Sequence, residues 1–301
     1  MTAVLETHGL GKRYGRHSAL QDCTLRVPAG SVTGLVGLNG AGKTTLLHLA
    51  VGLIEPSAGR IEVLGEVPSQ SSPHFLARIG FVAQERPLYR HFLVQEMLTL
   101  GRKLNPRWDD GLARTALARL NIPLNRSVGT LSGGQQAQIA LVLALAKRPE
   151  FLLLDEPFAN VDPLARREFL KIMLEAAATN EMTILLSSHV IADLDRICDY
   201  LVILSTAHVQ LADETESLLA SHKLLIGPHE HPEAILGNYT VLQASQVGRQ
   251  SSLLIRTNGP ITTDPLWQVQ DVSLEEIILA YLGLPGGGVG QNTQNKQEVL
   301  Q

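Results

Sequence analysis

The sequence is poor in cysteine and in aromatic residues. Only two of its 301 residues are cysteines, Cys23 and Cys198, and aromatic residues make up 4% of the chain. Two cysteines are too few for the dense disulfide framework that stabilises small secreted domains. We therefore expect a protein of the reducing cytosol whose stability comes from packing, with Cys198 in the core.

Long hydrophobic runs are also missing. The longest uninterrupted apolar run, residues 139–146, is far shorter than the roughly 20 residues that a membrane-spanning helix needs. Residues 1–10 contain no basic stretch followed by an apolar core, so we expect no secretory signal. Any membrane role is therefore expected to depend on a partner protein.

Neither sign of charge is in strong excess. The chain has 25 Lys and Arg against 29 Asp and Glu, which gives a net charge of −4. A protein whose main role is to bind nucleic acid non-specifically neutralises phosphates with an excess of basic residues. The composition therefore predicts no nucleic-acid partner.

Hydrophobic residues make up 45% of the chain, and its length suggests two domains or one large domain with an appendage. Short apolar segments alternate with helical ones, which predicts an α/β fold with a largely parallel sheet. We interpret residues 28–30 as a hairpin turn between two strands. The predicted strands are 4–7, 20–27, 31–36, 60–64, 79–83, 151–154, 183–186 and 201–204. The predicted helices are 43–51, 91–121, 132–147, 163–178 and 190–198.

The composition changes after residue 213. A helix at 215–222, a turn-rich stretch, strands at 240–243 and 253–256, and a capping box at Ser273 that opens a last helix predict a small α+β appendage over 223–283. His229 and His231 lie in the turn-rich stretch without a third ligand nearby, so we expect an exposed loop rather than a metal site. Residues 284–301 are polar and rich in Gln and Asn, which predicts disorder.

Residues 37–44 fit the pattern G-x-x-x-x-G-K-[ST] between a predicted strand and a predicted helix. Its glycines allow backbone amides to surround phosphate oxygens at the helix N-terminus. Lys43 is expected to reach the β- and γ-phosphates, and the Thr44 hydroxyl to ligate Mg²⁺. A plain glycine turn is the alternative, but the strand–loop–helix context favours nucleotide binding. The candidate nucleotide-binding residues are Gly37, Leu38, Asn39, Gly40, Ala41, Gly42, Lys43, Thr44 and Thr45.

Two carboxylates follow the apolar strand at 151–154. Open α/β sheets bind ligands at the carboxyl ends of their strands, where Asp155 and Glu156 are expected. Asp155 is predicted to hold Mg²⁺ and Glu156 to act as the general base for an attacking water. The alternative is that two acids simply begin a loop.

Residues 131–135 read Leu-Ser-Gly-Gly-Gln. Ser132 is a good N-cap, and Gly133 and Gly134 expose backbone amides at a helix N-terminus, which makes an anion site. These residues also describe a plain helix cap. The pattern by itself leaves both interpretations open.

Taken together, residues 37–44, 131–135 and 152–157 resemble the nucleotide-binding subunit of an ABC transporter, over about residues 3–222. The resemblance implies a P-loop NTPase fold of the ABC ATPase type: a RecA-like core with an antiparallel β subdomain and a helical subdomain at about 88–150, the whole cassette spanning 1–222. One departure is that residues 136–138 lack the arginine that family members commonly carry there.

The resemblance also implies roles for residues outside these motifs. Tyr14 resembles the residue that stacks on adenine, and Gln84 the one that links the metal site to the membrane partner. Asp162 resembles part of the loop that communicates across the dimer, and His189 the switch histidine that contacts the γ-phosphate. Tyr14 also fits an ordinary surface residue, His189 a structural one, and Asp162 a helix N-cap followed by Pro163.

In such a subunit two copies close head to tail around two ATP molecules. Each ATP then lies between Lys43 of one copy and Ser132, Gly133, Gly134 and Gln135 of the other. The resemblance implies an Mg²⁺-dependent ATPase that drives a separate transmembrane permease from the cytoplasmic face of the membrane. The C-terminal appendage resembles that of bacterial drug-exporter ATPases, which favours export.

The alternative is a soluble ABC protein that acts on ribosomes or DNA. Such proteins generally carry two cassettes in one chain or a long coiled coil between the motifs, and neither is seen here. A non-hydrolysing scaffold subunit predicts a damaged site, yet Lys43, Asp155, Glu156 and His189 are present.

Overall fold

The computed structural model describes residues 2–69, 72–159, 161–228, 239–261 and 265–284. The loop predicted to expose His229 and His231 lies outside the described residues. So does the tail predicted to be disordered, from residue 285 onward.

The described residues form three β-sheets and the helices that pack on them. The strands are β1 (Ala3–Tyr14), β2 (His17–Pro28), β3 (Val32–Val36), β4 (Ala58–Val63), β5 (Ile79–Val82), β6 (Phe151–Leu154), β7 (Thr183–Ser188), β8 (Tyr200–Ser205), β9 (His208–Glu214), β10 (His222–Pro228), β11 (Thr240–Val247), β12 (Gln250–Arg256) and β13 (Gln268–Asp271). The helices are α1 (Lys43–Ala50), α2 (Pro73–Arg78), α3 (Val94–Leu104), α4 (Asp110–Arg119), α5 (Gly133–Ala146), α6 (Pro163–Asn180), α7 (Ile191–Leu194), α8 (Thr215–Ser221) and α9 (Leu274–Gly283).

The central sheet has six strands in the order β5-β6-β7-β3-β8-β9. All its neighbours pair in parallel except β8 and β9. Every residue of β3, β6 and β7 is buried, as expected for strands covered by helices on both faces. The predicted α/β fold with a largely parallel sheet is confirmed.

A second, antiparallel sheet has the order β2-β1-β4. The prediction of a hairpin at residues 28–30 is wrong. β2 pairs with β1, whereas β3 pairs with β7 and β8, so the turn carries the chain from one sheet into the other. The burial patterns explain the difference, because β2 has several exposed positions whereas β3 is buried throughout.

Two of the predicted helices are shorter than expected. The helix predicted over 91–121 is divided into α3 and α4, because Pro106 lies between them and Asp109 caps α4 by accepting a hydrogen bond from the Leu112 amide at 2.9 Å. The helix predicted over 190–198 is helical only in α7. Beyond it the Ile197 amide bonds to the Leu194 carbonyl, which is a turn.

The third sheet is antiparallel, with the order β11-β12-β10-β13. Leu224, Leu242 and Leu254 from this sheet join the same hydrophobic core as residues of α9. The buried Tyr281 hydroxyl of α9 lies 3.1 Å from His222 Nε2 at the start of β10. The last predicted helix is confirmed, with Ser273 as its cap.

Glu150, directly before β6, joins three parts of the fold. Its carboxylate accepts hydrogen bonds from Arg78 at the end of α2 (2.8 Å) and from Arg107 between α3 and α4 (3.1 Å). Arg78 also donates to Glu66 at 2.6 Å. The hydrogen bonds from Arg78 hold the pKa of the Glu150 carboxyl below its usual value.

Replacing Glu150 by Gln is expected to lower the free energy of unfolding by about 1 kcal/mol at pH 7, since the pairs are partly solvated. Because the folded pKa is depressed, the stabilisation is complete above the unfolded pKa of a glutamate and is lost as the pH falls through the folded value. The difference from the parent should therefore shrink at pH 3.5.

Urea unfolding of the purified chain at the two pH values measures this difference. Glu62→Gln, an exposed glutamate on β4, is the control and should match the parent. Equal stability of Glu150→Gln and parent at pH 7 would contradict the role of this network.

Candidate nucleotide site

The loop between β3 and α1 depends on two glycines. Gly42 has a φ of 105°, and a Cβ there would lie 2.4 Å from the Ala19 carbonyl oxygen. A Cβ at Gly37 would lie 2.5 Å from the Leu204 carbonyl oxygen. Glycine at these two positions allows the backbone segments to approach each other closely. Because Gly42 is the N-cap of α1, the helix begins without a side-chain cap. Its first amides therefore remain available to an anion.

Lys43 is held inside this loop. Its Nζ donates hydrogen bonds to the carbonyl oxygens of Gly37 at 2.8 Å and Leu38 at 3.4 Å. The same Nζ lies 3.6 Å from Glu156 Oε1, and both side chains are buried. The loop thus positions one cation beside one carboxylate at the carboxyl end of the sheet.

Asp155 and Glu156 follow β6 and are both buried. Ser187, in β7, organises the pair: its hydroxyl donates to Asp155 Oδ1 at 2.8 Å and accepts from the Glu156 amide at 2.8 Å. Glu156 has a φ of 47°, a left-handed conformation that costs free energy in a residue other than glycine. The hydrogen bond from the Glu156 amide to the Ser187 hydroxyl helps to hold that conformation.

The second oxygen of Asp155 fits a metal ligand. Asp155 Oδ2 is buried and has no hydrogen-bond partner among the described residues. A buried carboxylate oxygen without a donor is costly, and a cation satisfies it. The described residues contain no group of three or more His, Cys, Asp and Glu that holds a metal unaided. This donor set fits Mg²⁺, which takes one or two carboxylates together with substrate phosphates and water.

His189 contacts the other side of the Glu156 carboxylate. Its Nδ1 lies 2.7 Å from Glu156 Oε2, while more than half of the His189 side chain is exposed. Glu156 therefore lies between a buried lysine and a histidine that faces solvent. Such a carboxylate is oriented by its neighbours and can accept a proton from a water on its open side.

One cavity of about 730 Å³ joins the P-loop, Glu156 and His189. The sequence-predicted residues that line it are Tyr14, Gly37, Leu38, Asn39, Gly40, Ala41, Gly42, Lys43, Thr44, Thr45, Gln84, Glu156 and His189. Tyr14 is half-exposed with Lys12 Nζ 5.3 Å from its ring centre, and Gln84 is exposed two residues after β5. The stacking role of Tyr14 stays a prediction.

Sequence reasoning missed several residues of this site. His17, Ala19, Ala159, Ile191 and Leu282 also line the cavity. Leu282 belongs to α9, more than two hundred positions beyond the P-loop in the chain. No local pattern signals such residues, because only the packing of α9 beside α7 brings Leu282 to the cavity.

Three predicted groups do not line this cavity: the buried Asp155, the start of α5, and Asp162. Ser132 is exposed and caps α5, accepting a hydrogen bond from the Gln135 amide at 3.2 Å, while Gln135 Oε1 accepts from the Ser132 amide at 3.1 Å. Asp162 caps α6 through the Ala165 amide at 2.9 Å. The helix-cap interpretations are therefore confirmed for Ser132 and Asp162. A nucleotide contact of Ser132, Gly133, Gly134, Gln135 or Asp162 stays a prediction.

Among the described residues, no helix is both long and apolar enough to cross a membrane.

Comparison with known proteins identifies the family. A family model described as ABC transporter matches residues 20–159. The Nod factor export ATP-binding protein I of Rhizobium johnstonii is 32% identical over 262 residues, which cover 85% of this chain and 79% of that protein. The thiamine import ATP-binding protein ThiQ of Chelativorans sp. is 32% identical over 226 residues, which cover 72% of this chain and 90% of that protein.

Solved structures agree. The structure of an ATP-binding subunit of an ABC transporter matches with a TM-score of 0.65 and 28% identity, over 72% of this chain and 92% of that one. The P-loop, the buried acids and the parallel sheet are thus found in a chain whose relatives are transport ATPases. The chain belongs to the ABC transporter ATP-binding proteins: it is the nucleotide-binding ATPase subunit of an ABC transporter.

Proposed function

We propose that two copies of this chain close head to tail around two ATP molecules and drive export through a separate transmembrane permease. One observation carries the proposal. The cavity holds Lys43, Glu156 and His189, whereas the exposed N-terminus of α5 lies outside it. A second copy supplies the missing half when its Ser132, Gly133 and Gly134 cover the phosphates.

In this proposal the groups of the cavity and the buried Asp155 have separate tasks. Lys43 and the amides at the start of α1 bind the β- and γ-phosphates. Thr44, Asp155 and Gln84 hold Mg²⁺, which neutralises charge on the phosphates when it is bound. The free oxygen of Asp155 supports this assignment.

Glu156 takes the proton of the attacking water, and His189 orients Glu156 through the 2.7 Å contact. Lys43 lies 3.6 Å from the same carboxylate, so one cation serves both the general base and the phosphates. His189 also contacts the γ-phosphate. Catalysis by these residues consists of positioning and electrostatic stabilisation.

The loop that follows Gln84 is proposed to contact the permease. Tyr89 and Phe92 stack with ring centres 5.1 Å apart, and both are exposed. An exposed aromatic pair five to eight positions after a residue that lines the ATP cavity suits a partner that must respond to the nucleotide. The chain would then lie on the cytoplasmic face of the membrane, held there by the permease.

Export is supported by how far the relatives extend along the chain. The match to the Nod factor export protein covers 85% of this chain, while the match to the thiamine import protein covers 72%. The sheet of β10 to β13 with α9 forms the C-terminal part. We divide the chain accordingly into an ATPase cassette at 1–222, with its helical subdomain at about 88–150, and an appendage at 223–283.

Affinity purification from detergent-solubilised membranes tests the proposal. The tagged chain should recover a multi-span hydrophobic protein, and the double variant Tyr89→Ala/Phe92→Ala should recover at least about tenfold less of it. Arg102→Ala, an exposed change on α3, is the control and should recover as much as the parent. Recovery of ribosomes or DNA instead would contradict transport, and inverted vesicles holding the complex distinguish export from import.

A further inference from the structure

Arg86, two residues after Gln84, connects two loops of the site to the start of α5. Its Nη2 donates a hydrogen bond to the Ala159 carbonyl oxygen at 2.7 Å, and its Nη1 to the Gly133 carbonyl oxygen at 3.4 Å. Ala159 lines the ATP cavity, and Gly133 is the first residue of α5. A single guanidinium therefore joins the Gln84 loop, the loop after Glu156 and the start of α5.

This arrangement is costly for the isolated chain. Arg86 is half-buried, and no carboxylate among the described residues lies within 4.0 Å of it. Burial lowers the pKa of its guanidinium, and its Nε is buried without a hydrogen-bond partner in the described part of the chain. Its φ of 49° is left-handed. A strained, half-buried cation without a carboxylate partner among the described residues indicates a functional demand.

The position of the cation increases that cost. The N-terminus of α5 carries the positive end of the helix dipole, and Arg86 adds a full positive charge beside it. Residues 136–138 at the start of the same helix carry no charge. An anion placed on the exposed side of Ser132 and Gly133 would offset both the partial burial of the Arg86 charge and its repulsion by the helix dipole.

We propose that Arg86 is a positioning residue that holds the start of α5 in register with the Gln84 and Ala159 loops, and that its counter-charge is the triphosphate bound to a second copy of this chain. This inference rests on the proposed function, because it requires the head-to-tail dimer. Arg86 would keep the start of α5 at a fixed distance and orientation from the P-loop of the same copy.

The test is ATP-driven dimerisation of the full chain in a Glu156→Gln background. Size exclusion coupled to light scattering measures the mass of the chain at each ATP concentration. Adding Arg86→Ala should raise the ATP concentration for half-maximal dimerisation at least about tenfold. Arg86→Lys keeps the charge but contacts one carbonyl at most, so it should be intermediate. Arg102→Ala, an exposed arginine on α3, should leave dimerisation unchanged.

Two further measurements separate positioning from a general loss of structure. Binding of a fluorescent ATP analogue to the monomer should match the Glu156→Gln parent within about twofold, and the thermal unfolding midpoint should be no more than about 2 °C lower. Dimerisation of Arg86→Ala at the parental ATP concentration would overturn the inference. Equal loss of monomer binding in Arg86→Ala and Arg86→Lys would also overturn it. If Glu156→Gln itself stays monomeric with ATP, the proposed function fails instead.

Discussion

Glu156→Gln is expected to lower the rate of ATP hydrolysis at least about a hundredfold, the usual contribution of a general base. Glutamine keeps the size of the side chain and accepts a hydrogen bond from His189, but it takes no proton from water. ATP binding should be retained, because the phosphates contact Lys43 and the P-loop amides. Phosphate release under saturating ATP, compared with binding of a fluorescent ATP analogue, separates the two effects.

The control for this change is Glu62→Gln on the exposed surface of β4, which should hydrolyse ATP at the parental rate. The hydrolysis rate of His189→Ala should lie between those of Glu156→Gln and Glu62→Gln. The change removes the 2.7 Å contact that orients Glu156 but leaves the carboxylate in place. Parental turnover in Glu156→Gln would assign the base to another group and contradict the mechanism given above.

Ser132→Arg is expected to lower the rate of ATP hydrolysis by about as much as Glu156→Gln, but by preventing the two copies from closing rather than by removing the base. Ser132 is exposed at the start of α5 and lies outside the cavity of its own chain. In the proposed dimer an arginine there blocks the close approach to the phosphates on the other copy. Binding of ATP to the monomer should be unchanged, while hydrolysis and ATP-driven association should both be lost.

The change also removes a helix cap, which costs about 1 kcal/mol, and this loss needs its own control. Ser273 caps α9 with the same capping box, because its hydroxyl accepts from the Glu276 amide at 3.3 Å and the Glu276 carboxylate accepts from the Ser273 amide. Ser273→Arg therefore lowers stability by a comparable amount but should hydrolyse ATP normally. Equal activity of Ser132→Arg and Ser273→Arg would contradict a role for Ser132 in a composite site.

The local parts of the site could be predicted from sequence because each depends on a short pattern. A buried strand followed by glycines, Lys43 and a helix defines the P-loop, and an apolar strand followed by Asp155 and Glu156 places both acids at the same edge of the sheet. The caps of α5 and α9 likewise follow from serine with Gln or Glu three residues later.

Other features depend on contacts between distant parts of the chain. Ser187 lies one residue beyond the strand predicted at 183–186, and only the pairing of β6 with β7 brings its hydroxyl to Asp155. Strand β13 was not predicted because it has only four residues and one apolar side chain, Val269, which is too short a segment to show a strand pattern. Leu282 and Arg86 reach the site through packing of separate elements, which a single sequence does not reveal.

One copy of this chain is proposed to supply only half of each ATP pocket, and everything else in the mechanism depends on this claim. The most direct measurement is the mass of Glu156→Gln in solution, by light scattering with and without ATP and Mg²⁺. We expect the monomer mass of 32.6 kDa without nucleotide and a doubled mass with ATP and Mg²⁺. A wild-type chain that stays monomeric at every concentration while it hydrolyses ATP at full rate would contradict the claim.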